Sequence, residues 1–267
     1  MKLFGLFCSS FYVNTCSTIY IHKNMNKNNL SSFNAKMNNF SGLIDVVKKF
    51  GAAYNPSNPN LSLATMENFL TEGRLAIKRV SDAETIYLNA TTRRSNLFKD
   101  QNQMLSRILA ILQSQGVDKN LYQDLNQVVK QLKGYSKKQA APAEAGEAKS
   151  SKHSGAYLTL EKRAEDFSQF IEFLQMIPDY KPNSSELEIV ALKAYQVQME
   201  QINAEVDALE NTLTNERHKR DLLFFNEANG IMVLGRQVKA NIRGTFGRTS
   251  SEHQQVIPFK FINRASY

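Results

Sequence analysis

The sequence predicts an all-α fold: an elongated antiparallel helical bundle built from two internal repeats with two long coiled-coil-like helices. Three observations predict it. Residues 61–112 contain no proline and one glycine, Gly73, and residues 187–238 form a weaker echo of that run. Apolar or small residues recur every three or four positions along the first run, from Met66, Phe69, Gly73, Ile77 and Val80 to Met104, Ile108 and Ile111. The whole chain of 267 residues holds only 12 glycines and 6 prolines, few turn-formers for a protein of many short strands. A continuous helix over the first run would extend roughly 78 Å at 1.5 Å per residue.

Taken in order, residues 1–37 read as a disordered leader or an over-extended start. Lys2 and the apolar Leu3–Phe7 open like a signal peptide, but Cys8, Ser9, Ser10, Asn14 and Thr15 dilute the apolar stretch. Met25 or Met37 is then the natural beginning. Residues 38–133 form the first repeat. Phe40, Leu43, Ile44, Val47 and Phe50 share one helical face, with Ser41 as the N-terminal signal. Gly51, Pro56 and Pro59 stop that helix, since proline biases its predecessor away from α. The long helix follows and ends at Gln115-Gly116. Asp118 then caps a helix carrying Leu121, Leu125, Val128 and Leu132.

Residues 134–157 are rich in Lys, Ala, Ser, Glu and Gly without an apolar stripe, and predict a flexible linker. Residues 158–247 form the second repeat. Phe167-Ser168 echoes Phe40-Ser41, Tyr180-Lys181-Pro182 echoes Tyr54-Asn55-Pro56, and a second long helix is expected over about 187–240. The offset is 127 residues at the phenylalanines and 126 from the Tyr-x-Pro onward, which predicts an internal duplication. Residues 248–267 are a C-terminal tail packed on the bundle. Val256 to Phe261 alternates like an extended segment, and Pro258 excludes a central strand.

The net charge of +8 invites a nucleic-acid reading, yet residues 1–37 hold +4 of it and residues 134–157 another +2. A basic footprint should cluster on the folded body instead. Both cysteines, Cys8 and Cys16, precede the body, which excludes a disulfide framework there and a thiolate-rich metal centre. No GxGxxG, P-loop or HExxH motif is present, and His22, His153, His218 and His253 are scattered. Neither a catalytic residue, a metal nor a cofactor is expected. The best candidates are two basic clusters, Arg93 and Arg94 in the first repeat and Arg217, Lys219 and Arg220 in the second. They could contact anions, or their stems could cover apolar surface while Arg94 and Arg220, on the seam, set helix register.

Residues 158–216 carry −8 and residues 217–267 carry +6, an asymmetry that favours antiparallel over parallel packing of the long helices. With its repeated Phe-Ser entry, Tyr-x-Pro hinge, long helix and Ile-Pro-Phe-Lys-Phe tail, the chain resembles the uncharacterised all-helical proteins of this size common in Bacteroidota genomes. The resemblance covers about residues 38–262 and implies the fold without supplying an activity. The leading expectation is a non-enzymatic structural or protein-interaction module that binds an unknown protein partner or itself. The alternative is a sequence-independent polyanion binder using the basic midsections and C-terminal end. Behind both stands a membrane-active helical toxin component, although no segment has the apolar length of a transmembrane span. A cytoplasmic location is expected.

Overall fold

The computed structural model describes residues 32–134 and 159–262. The leader up to residue 31 and nearly all of the linker at 134–157 lie outside the described residues. Among the described residues are seven α-helices and no strand: α1 (Phe33–Lys49), α2 (Leu63–Ser114), α3 (Lys119–Leu132), α4 (Leu160–Gln175), α5 (Ile189–Phe225), α6 (Ile231–Phe246) and α7 (Ser251–Val256). The fold is therefore all-α. Contacts group the helices into two compact units: residues up to Arg74 together with Leu223 onward, and Leu75–Leu222. These units cut across the expected boundaries 38–133 and 158–247, because each of those stretches contributes residues to both.

In the first unit, α1 begins seven residues before its expected start at Phe40. Ser32, not Ser41, is the cap, its hydroxyl accepting from Ala35 N–H at 3.2 Å. Residues 33–37 thus belong to the folded body, correcting the leader boundary at 37. Met37 is buried and packs where a Cβ on Gly73 would sit, 2.6 Å from its sulfur. The core joins Met37, Phe40, Leu43, Ile44 and Val47 of α1 to Ile231, Leu234, Val238 and Ile242 of α6. Each such side chain contributes about 1.5–3 kcal/mol by leaving water. The second long helix does not continue to 240. It stops at Phe225, because the Asn226 side chain accepts from Ala228 and Asn229 N–H and makes a turn of its own. The C-terminal segment belongs to this unit; its residues Ser251–Val256 form the short helix α7 rather than opening an extended run at Val256. Phe261 is buried against Gly235, the partly exposed Phe259 lies against Gly42, and Phe40 meets Phe261 edge-on with ring centroids 6.3 Å apart.

In the second unit α2 and α5 lie antiparallel. Ascending positions on α2 meet descending ones on the other strand of the hairpin: Glu84 with Arg217, Arg93 with Glu205, Leu97 with Tyr195, and Arg107 with Glu186 just ahead of α5. Of the seam positions along α2, Met66, Val80, Ala90, Gln101 and Ile108 are buried, whereas Ile77, Leu97, Met104 and Ile111 are partly exposed and their neighbours Ala76, Phe98, Leu105 and Leu112 are buried instead. The core of this unit gathers Phe98, Leu105, Ile108 and Leu112 of α2 with α3, with Phe167, Phe170 and Leu174 of α4, and with Leu192 and Met199 of α5. Between residues 81 and 89 only Ala83 and Tyr87 are even partly buried, so there the helix has little beside it.

The entry to each long helix uses one set of hydrogen bonds twice, displaced by 126 residues. Tyr54 Oη donates to Leu61 O at 2.8 Å, and Tyr180 Oη to Leu187 O at 2.7 Å. Around them Tyr54 N–H meets Gly51 O as Tyr180 N–H meets Ile177 O, and Leu61 N–H meets Asn58 O as Leu187 N–H meets Ser184 O. The buried faces of the preceding helices match at 127 instead: Phe40 with Phe167, Ile44 with Ile171, Val47 with Leu174. The odd residue is absorbed in the turn between, where Gly51–Ala53 forms a 3-10 turn with no counterpart in the second half.

Candidate functional site

All five candidate cations belong to the second unit, and each faces a carboxylate. Arg93 pairs with Glu205, Arg217 with Glu84 at 3.2 Å, and Lys219 with Glu216 at 2.6 Å. Arg220 holds its neighbour Asp221 through Nε and a terminal nitrogen, at 2.9 and 2.7 Å. Arg94 reaches only to 3.8 Å from Glu161. The side chains of Arg94 and Arg220 are 19% and 16% exposed. The two clusters do not meet. Arg217 lies opposite Glu84, so Arg220 falls near residue 81 of α2, about 20 Å of helix away from Arg94. Apart from Arg94, the candidate cations of the midsection are therefore closely ion-paired, and among the described residues the two clusters form no joined basic surface.

Two other clefts gather cations. In the first unit, α6 sets Arg236, Lys239 and Arg243 at spacings of three and four, on one helical face. The C-terminal segment lies beside them and encloses a cleft of about 420 Å³ with Lys260, Phe259 and Ile262. Lys239 Nζ donates to Ile257 O at 3.1 Å and Phe259 O at 2.7 Å, and Arg236 to Phe261 O at 3.3 Å, satisfying carbonyls that no helix serves. Burial pushes the Lys239 ammonium below its ordinary pKa. Among the described residues no carboxylate pairs with Arg236, Lys239, Arg243 or Lys260. The signal for this cleft was in the sequence: no acidic residue occurs between Glu227 and Glu252.

In the second unit a cleft of about 400 Å³ opens between α2 and the start of α4, lined by Arg94, Lys99, Arg163, Thr91, Ser95 and Asn102 among others. Arg163 was not singled out from the sequence, because its partners come from α2, some sixty positions earlier. Its guanidinium donates to Phe98 O at 3.3 Å, Gln101 Oε1 at 2.7 Å and Asn102 Oδ1 at 2.9 Å, and lies 5.1 Å from the Phe98 ring centroid. Burial lowers its pKa from the usual arginine value. Gln101, a polar member of the seam, is fully buried; its Nε2 and the Arg163 Nε find no acceptor.

Among the described residues no three His, Cys, Asp or Glu side chains gather as a metal site would require, and no helix is long and apolar enough to cross a membrane. Compared with protein-family models, curated proteins and solved structures, the chain finds no match.

Proposed function

We propose that the chain is a non-enzymatic helical-bundle interaction module, and that its partner is a protein segment presenting acidic side chains beside an apolar one. The observation that supports this reading is the cleft between α6 and the C-terminal segment, where uncompensated cations alternate with apolar surface. Arg243 and Lys260 are exposed, and Ile257 and Ile262 are 45% and 54% exposed. Arginine and aromatic side chains, here Arg236, Arg243, Phe259 and Phe261, are enriched at protein interfaces.

The same cations admit nucleic acid as a second reading. From Arg236 to Arg243 the basic face covers about 10 Å of helix, short for a backbone track that neutralises many phosphates. The midsection, which would have to extend it, is already ion-paired.

Fluorescence anisotropy separates the two at about 150 mM salt, where exposed long-range attraction is largely screened. An amphipathic peptide bearing glutamates and leucines should bind the full chain, and Arg243→Glu with Lys260→Glu should abolish that binding without loss of helical circular dichroism. Binding of a DNA duplex but not of the peptide would overturn the protein reading.

A further inference from the structure

We propose that the cleft between α2 and α4 is a binding site for a small phosphate-class oxyanion, held by Arg163, Arg94 and Lys99. Three cations line this cleft and no carboxylate does. The charge of Arg163 is half-buried, yet every acceptor it reaches is neutral: a backbone carbonyl and two amide oxygens. A partly desolvated cation is costly without a counter-charge. Arg94, its side chain only 19% exposed, has no better partner than Glu161 at 3.8 Å, beyond hydrogen-bonding distance. The other nearby carboxylate, Asp166, is held by Lys162 at 3.0 Å.

The hydrogen-bond inventory points the same way. Arg163, which lines the cleft, keeps its Nε as a buried donor without an acceptor, and such orphans are rare in a folded interior. Ser95 and Asn102 add a hydroxyl and an amide at the rim. A tetrahedral oxyanion supplies what this arrangement lacks, negative charge and several acceptor lone pairs, and guanidinium groups suit it geometrically. The site is remote in composition from the α6 cleft, sharing no residue with it, so each proposal stands or falls alone.

Isothermal titration of the full chain with inorganic phosphate, at constant ionic strength with chloride as the reference anion, tests the assignment. One saturable site is expected. Arg163→Gln should weaken it at least about tenfold, the loss of one charge-assisted contact. Lys99→Glu changes an exposed side chain and keeps the test open if the arginine variant fails to fold; it should weaken binding too. Glu161→Gln should tighten it, by freeing Arg94. A parallel titration with a hexose phosphate distinguishes a free anion from a phosphate ester: equal affinity means the free anion, tighter binding the ester. No saturable phosphate heat in the wild type, or phosphate binding unchanged in both Arg163→Gln and Lys99→Glu, would overturn the proposal.

Discussion

At the scale of single residues, hydrogen bonds made inside the fold outweigh the charges on its surface. The pair Arg217–Glu84 has side chains 47% and 49% exposed. A double-mutant cycle to alanine should give a coupling energy below about 1 kcal/mol by chemical denaturation, as for other solvated pairs. The two tyrosine clasps are different, because their acceptors are buried carbonyls. Tyr54→Phe or Tyr180→Phe leaves Leu61 O or Leu187 O without its donor and should cost about 1–3 kcal/mol each. Burial also pushes both phenols from 10.0 to about 12. The unfolded chain then ionises first, so their stabilisation is complete below pH 10 and is lost as pH rises towards 12. Thermal melts across that window should show a falling midpoint, and the double phenylalanine variant a flatter one. Both tyrosines were legible as matched sequence features. Their carbonyl partners were not, since the turn between, with each acceptor seven positions on, decides where the hydroxyl arrives.

At the scale of elements, helix centres were legible and helix ends were not. Part of the α2 seam follows from heptad spacing, and Asp118 caps α3 as its position suggested, accepting from Asn120 and Leu121 N–H. The start of α1 falls inside the stretch 1–37 read as a leader, yet Lys36 is buried with its ammonium 5.3 Å from the Phe33 ring centroid. The end of α5 was missed because helical periodicity resumes directly in α6. Gly230 was the available sign. A Cβ there would lie 2.7 Å from Asn226 N and O, so the turn has no room for a side chain. Gly235 is the other close approach. Its Cβ would meet three atoms of the Phe261 ring, the nearest at 2.5 Å. Gly235→Ala gains up to about 1 kcal/mol of helix propensity, but displacing a packed ring typically costs about 1–3 kcal/mol. Net destabilisation is expected, with faster amide hydrogen exchange in α6, and the variant should also lose the acidic-peptide binding proposed for the adjoining cleft.

At the scale of the whole molecule, the fold class followed from scarce turn-formers and long seams, whereas the grouping into compact units did not. Repeats follow sequence similarity, but units follow contacts, and here α1 packs against the distant α6 as well as the start of α2. Two units also imply that unfolding need not be a single transition. Calorimetry should show two components, with Tyr180→Phe shifting one and Tyr54→Phe the other. The division has a consequence during synthesis. Unit two is one unbroken stretch, 75–222, whereas unit one needs residues on both sides of it. A ribosome therefore releases everything the internal unit requires while the apolar face of α1, with Phe40, Leu43 and Val47, still waits for α6 to emerge. Nascent chains arrested once residue 222 has cleared the exit tunnel should already protect α4 from protease and leave α1 open to a chaperone that reads exposed apolar surface.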